Sequence, residues 1–138
     1  MLFMKKMKKL NPLKLKNYSW EDIDVYLTVE EYANSWQLAI LLYEKETGEY
    51  YTDLSVFVKE FEDKGYVVLD INNFPGAEEF VQRHNLWQLF DYIQSWFVSY
   101  PIYQMDLNEL RKYDPEGVDK FIEDNGIKEV TLWDRLRS

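Results

Sequence analysis

Apolar and polar residues alternate through the first half of this chain and recur at helical spacing through much of the second. Val25, Leu27 and Val29 alternate with Tyr26, Thr28 and Glu30, which predicts a half-buried strand. The run Trp36–Tyr43 sets Trp36, Leu38, Ile40 and Leu42 on one face. Glu44–Gly48 then reads as a turn in which Gly48 supplies a positive φ. Tyr50, Thr52, Leu54, Val56 and Val58 share one face of the returning strand, so these segments predict an antiparallel meander. Phe61–Gly65 reads as a further turn and Tyr66–Ile71 as a short strand.

At Asn72–Pro75 the pattern changes period. Ala77, Phe80, Val81 and His84 follow at i, i+3, i+4 and i+7, which predicts a helix opened by the Asn and Pro signals. Leu86, Leu89, Phe90 and Ile93 repeat that spacing and predict a second helix or an extension of the first. Trp96–Tyr103 is strand-like, and Pro101, lacking a donor, should place it at a sheet edge or a bulge. Asp106 with Glu109 resembles a capping box for a short helix through about Lys112. Asp114-Pro115 opens another helix, which Asn125-Gly126 stops. The fold class expected is α+β: an antiparallel β-meander sheet with helices packed mostly from the second half.

Charge divides the chain differently. Residues 1–17 carry six lysines and no acid, and are expected to be a basic, flexible N-terminal arm. Residues 18–138 form one acidic domain with ten basic against twenty-five acidic side chains, a formal charge of −15. With Phe3, Met7 and Leu10 at amphipathic spacing, the arm has three readings: a solvated tail, a membrane-surface contact, or a contact with nucleic acid or the acidic body. A secretory signal is not expected, because no apolar core follows its lysines. The absence of cysteine excludes disulfides, thiol nucleophiles and thiolate metal sites, and it fits a cytoplasmic protein.

Candidate chemistry is sparse. His84 is the only histidine and lies on the apolar face of a predicted helix, so a structural role outweighs that of a catalytic base. No serine sits in a nucleophile motif, no glycine run matches a phosphate cradle, and no acidic run matches a calcium loop. No cofactor and no enzymatic activity are expected. The acidic body repels nucleic acid but suits a protein partner with a basic surface. On that reading the partner-binding residues are Glu30, Glu31, Glu60, Glu62, Asp63, Glu78 and Glu79. The alternative contact is aromatic. Trp36, Tyr50, Tyr51, Tyr92, Trp96, Tyr100, Tyr103 and Trp133 are more than a small core comfortably absorbs, and they suit a partner or homodimer interface.

Two stretches resemble a family of small bacterial proteins. The first is Asp24–Asn34 running into Leu38–Tyr43 and Thr47-Gly48; the second is Leu69–Phe80, followed by Tyr100–Tyr103. The family is the domain of unknown function numbered 4313, found on mobile elements of Firmicutes, and the resemblance spans residues 20–107. Asn72-Asn73-Phe74-Pro75-Gly76-Ala77-Glu78 is its most specific piece. Family members carry a Gly-rich link before the Tyr-Pro segment, where this chain has the apolar run Leu86–Ser95. The resemblance implies no catalytic residue. It implies a cytosolic accessory protein of a phage or conjugative element. Small acidic proteins of that setting often inhibit host restriction or CRISPR nucleases, some as DNA mimics, so an inhibitor of a host defence nuclease is the function expected.

Overall fold

The computed structural model describes residues 10–15, 22–32, 37–58 and 66–126, with the backbone alone at Trp87. Within them the chain forms β1 (Leu13–Leu15), β2 (Ile23–Glu31), β3 (Leu38–Glu44), β4 (Tyr50–Asp53) and β5 (Tyr66–Val68). Helix α1 (Ala77–Arg83), strands β6 (Trp87–Ser95) and β7 (Val98–Met105), and helices α2 (Leu107–Arg111) and α3 (Pro115–Asn125) follow. An antiparallel meander of order β1-β2-β3-β4 and a three-stranded antiparallel sheet of order β5-β7-β6 make the fold α+β.

The alternation along β2 and β3 has the expected result. Val25, Leu27, Val29, Leu38, Ile40 and Leu42 are all buried on one face, against which α1, α2, α3 and the inner face of the second sheet pack. Gly48 takes the positive φ its turn requires, 75°. Past β4 the chain changes sheets. The Leu54 N–H donates to the Ile40 carbonyl at 2.8 Å, and Val56 N–H donates to the Val68 carbonyl at 2.9 Å. Ser55 Oγ meanwhile accepts the Ile40 N–H, so residues 54–56 stitch one sheet to the other. A smaller cluster of Val58, Tyr66, Val68 and Ile102 fills the far face of the second sheet.

Three sequence expectations are corrected. The first concerns Leu86–Ser95, which is not helical: Trp87–Ser95 is strand β6, paired with β7 from Trp87↔Met105 to Ser95↔Val98. The register shifts between Leu89 and Asp91, so Phe90 is an extra residue and Leu89-Phe90 are adjacent apolar positions. That doublet, followed by Ile93, imitates helical spacing. The second is Pro101, which lies in the central strand of its sheet, not at an edge, while the bulge falls on the partner strand β6, opposite Ile102 and Tyr103. Its carbonyl accepts the Leu69 N–H at 3.0 Å, so its missing donor would also face Leu69. The Leu69 carbonyl instead accepts the Ile71 N–H at 3.0 Å, and no acceptor is stranded. The third is the basic arm, which is not a free tail throughout. Leu13–Leu15 is strand β1 on β2, with Leu13 and Leu15 in the core and Lys14 paired to Asp24 at 2.7 Å. The turn expected at Phe61–Gly65 lies outside the described residues.

Helix starts follow the expected residues with one change of partner. Gly76 caps α1 without a side-chain bond, because Asn73 is engaged by Asp70 through its N–H and its amide. Asp106 accepts the Asn108 and Glu109 N–H groups at the start of α2. Glu109 does not reach back to complete the box and pairs instead with Lys112 at 2.8 Å. Asp114 and Pro115 open α3, and Gly126 closes it at φ 62° in the left-handed region.

Candidate functional site

Of the seven acids expected to form one binding surface, four fall within the described residues. Glu30 is exposed on β2. Glu31 beside it accepts from the Asn125 amide at 2.9 Å, which ties the end of α3 to β2. Together they line a cavity of about 350 Å³ between β2 and α3 with Val29, Glu116, Gly117, Lys120 and Phe121. Lys120 in that wall is paired with Asp124 across one helical turn. Glu79 is exposed on α1. Glu78 accepts from the buried Tyr103 hydroxyl at 2.9 Å, to which Gln82 also donates at 3.1 Å. Burial first, and this carboxylate second, push the Tyr103 phenol up to about 12. Glu60, Glu62 and Asp63 lie outside the described residues.

Asp114 and His84 both make contacts that hold elements together. Asp114 is fully buried; its Oδ2 accepts the Val29 N–H at 2.8 Å and its Oδ1 the Gly117 N–H at 3.1 Å. His84 ends α1, packs edge-on against Phe80 and sets Nε2 2.8 Å from the Lys14 carbonyl. Among the described residues no group of three or more His, Cys, Asp or Glu could hold a metal ion. Among them, too, no helix is long and apolar enough to cross a membrane.

The β6–β7 hairpin is different in kind. It carries one charge, Asp91, in the nineteen residues Trp87–Met105, in a chain that is 30% charged. It exposes Leu89 (48%), Phe90 (51%) and Tyr92 (53%) along β6, and Trp96 (88%) and Phe97 (90%) at its tip. Trp96 and Phe97 form a two-residue turn and pack edge-to-face, ring centroids 5.4 Å apart. Trp96 holds φ at 57°, at the first turn position, where a tight hairpin ordinarily takes glycine. A bulky residue there carries backbone strain on the order of 1–2 kcal/mol. Strain and near-complete exposure therefore coincide at a tryptophan, the largest side-chain type.

Of the aromatics singled out in the sequence, Tyr50, Tyr51, Tyr92 and Trp96 are exposed. Tyr100 is half-buried, Tyr103 is buried, and Trp36 and Trp133 lie outside the described residues. Sequence reasoning missed Leu89 and Phe90, which a helix would have turned inward, and Phe97, which it placed in a strand without naming it as a contact. The signal that would have found them is the gap in charge from Trp87 to Met105, legible without any assignment of secondary structure.

No curated protein and no solved structure matches this chain. A family profile, described as a domain of unknown function (DUF4313), matches residues 26–125. That match covers most of β2, strands β3 to β7 and helices α1 to α3, and the chain belongs to this family.

Proposed function

We propose that this chain is a non-enzymatic protein-binding module of the cytoplasm and that the β6–β7 hairpin makes the contact. The observation that supports it is the exposure of Trp96 and Phe97 at the tip of a nearly uncharged hairpin. Large apolar side chains held in water on a strained turn gain most by burial in a partner, and aromatic anchors dominate binding energy where they occur. The test is a photo-crosslinking phenylalanine analogue in place of Phe97, with the same analogue in place of Glu46, on the β3–β4 turn, as control. Protein adducts specific to position 97 support the reading, and adducts indistinguishable between the two positions overturn it.

A second reading rests on charge. Residues 18–138 hold a formal −15, Glu30 and Glu79 are exposed, and Glu30, Glu31 and Glu116 edge the cavity beside α3. Such a surface suits a basic protein that handles nucleic acid, such as a host defence nuclease countered by a mobile element, with steered association. Its test is capture from host lysate at rising salt. A nuclease retained at low salt and released at high salt supports it, and capture that ignores salt overturns it.

A further inference from the structure

We propose that the hairpin's partner is a second copy of this chain, the two β6–β7 hairpins packing side chain to side chain about a two-fold axis. This rests on the reading that the hairpin is the binding surface, and it adds the occupant.

Charge is the first argument. Two chains of net charge −9 repel wherever their acidic surfaces meet, yet the hairpin brings only Asp91 to its contact. A nucleic acid or an anionic lipid surface would meet the same repulsion from the body without being apolar at the contact. A like hairpin is apolar and brings one charge, Asp91, which makes the surface self-complementary, as an isologous interface must be.

Area is the second. Whole aromatic side chains offer about 150–250 Å² each. Leu89 and Tyr92 lie opposite Tyr103 and Pro101 on one face of the sheet, whereas Phe90 packs against Tyr66 on the other. At their observed exposures Leu89, Tyr92, Trp96 and Phe97 present on the order of 500 Å² of apolar surface per copy. A standard interface buries about 800 Å² per partner. The patch therefore supplies most of what a specific dimer needs, and the polar rim of Gln88, Gln94 and Ser99 can supply the remainder.

The mode of contact follows from β6. Pro101 faces β5, so Tyr92 opposite it turns its backbone groups away from β7, toward the open edge. The N–H there is already taken: Asp91 Oδ1 accepts it at 2.8 Å. A charged side chain folded over the edge is a device against strand addition. The copies therefore meet through rings and not by extending the sheet.

Sedimentation velocity of the full chain, from micromolar to sub-millimolar concentration and at two salt levels, tests this. The expected result is a concentration-dependent dimer that high salt leaves unchanged or tightens, because salt screens the repulsion between the bodies. The double substitution Trp96→Ser with Phe97→Ser should raise the dissociation constant about thirtyfold or more, with a native thermal transition as the folding control. A chain monomeric throughout overturns the proposal, as does a dimer that survives both substitutions. If the chain is monomeric while position 97 crosslinks to another protein, the dimer falls and the hairpin remains a binding surface. If position 97 yields no specific adduct to any protein, its own copy included, the binding reading itself falls.

Discussion

Asp114 closes the edge of β2 at Val29. One carboxylate oxygen caps helix α3 through the Gly117 N–H, and the other accepts the Val29 N–H, eighty-five residues away in sequence, at 2.8 Å. Strand β1 pairs only as far as Val25, so Val29 would otherwise offer a bare donor on the open side of β2. Asn125 repeats the device at the other end of the helix through Glu31. The helix is thus fixed to the strand by polar contacts at both ends, with Val118 and Phe121 buried between them.

Replacing Asp114 with alanine should destabilise the fold by about 2–4 kcal/mol, combining a lost cap with a buried donor left unsatisfied. Asp114→Asn keeps one acceptor oxygen and should fall between the two. Urea unfolding midpoints check both. A loss under half a kilocalorie for the alanine variant would mean that water replaces the carboxylate.

Gly117 is the counterpart of that contact. A Cβ there would fall inside van der Waals distance of Asp114 Oδ2 and the Val29 carbonyl oxygen. Alanine ordinarily stabilises a helix interior by about 1 kcal/mol over glycine. Here the backbone of β2 cannot yield as a flexible side chain would, and Gly117→Ala should lose about 1–3 kcal/mol net. A gain in thermal stability would show that α3 can lift from β2 without penalty.

The pH dependence at the alkaline end has a definite sign. Burial first, and hydrogen bonding to the Glu78 carboxylate second, push Tyr103 up to about 12. A folded value above the unfolded value of 10.0 means that the contribution is complete below pH 10 and is lost as pH rises toward about 12. Stability should therefore decline across that window, and Tyr103→Phe should make the decline shallower. Tyrosinate absorbance followed against denaturant midpoint measures it. All tyrosines titrating together near the ordinary value would remove the basis for this expectation.

The meander and α3 were legible because local signals and burial agree there. The alternation in β2 and β3 places every second residue in the core, and Asp114-Pro115 with Asn125-Gly126 bound a helix whose caps form as read. Leu86–Ser95 was not legible. Its apolar residues answer to a bulge at Phe90 and to exposure, so neither a core face nor an unbroken strand alternation governs their spacing. The bonds that Glu31 and Glu78 make within the fold were not legible either, for a related reason. Composition marks them as surface charge, whereas their partners, Asn125 and Tyr103, are ninety-four and twenty-five residues away and become visible only on folding.

Trp96 joins stability to contact in one residue. Its φ of 57° is strained for a bulky side chain and free for glycine, and its ring is 88% exposed, so the folded monomer gains little from it. Trp96→Gly should therefore raise stability by about 1 kcal/mol, seen as a higher thermal midpoint. The same change removes a central ring from the proposed interface and should weaken association, seen as a smaller dimer fraction at fixed concentration. Opposite signs in the two measurements are the expected signature of a residue kept for binding at the expense of the fold. A variant that loses stability along with association would instead assign Trp96 to holding the hairpin together.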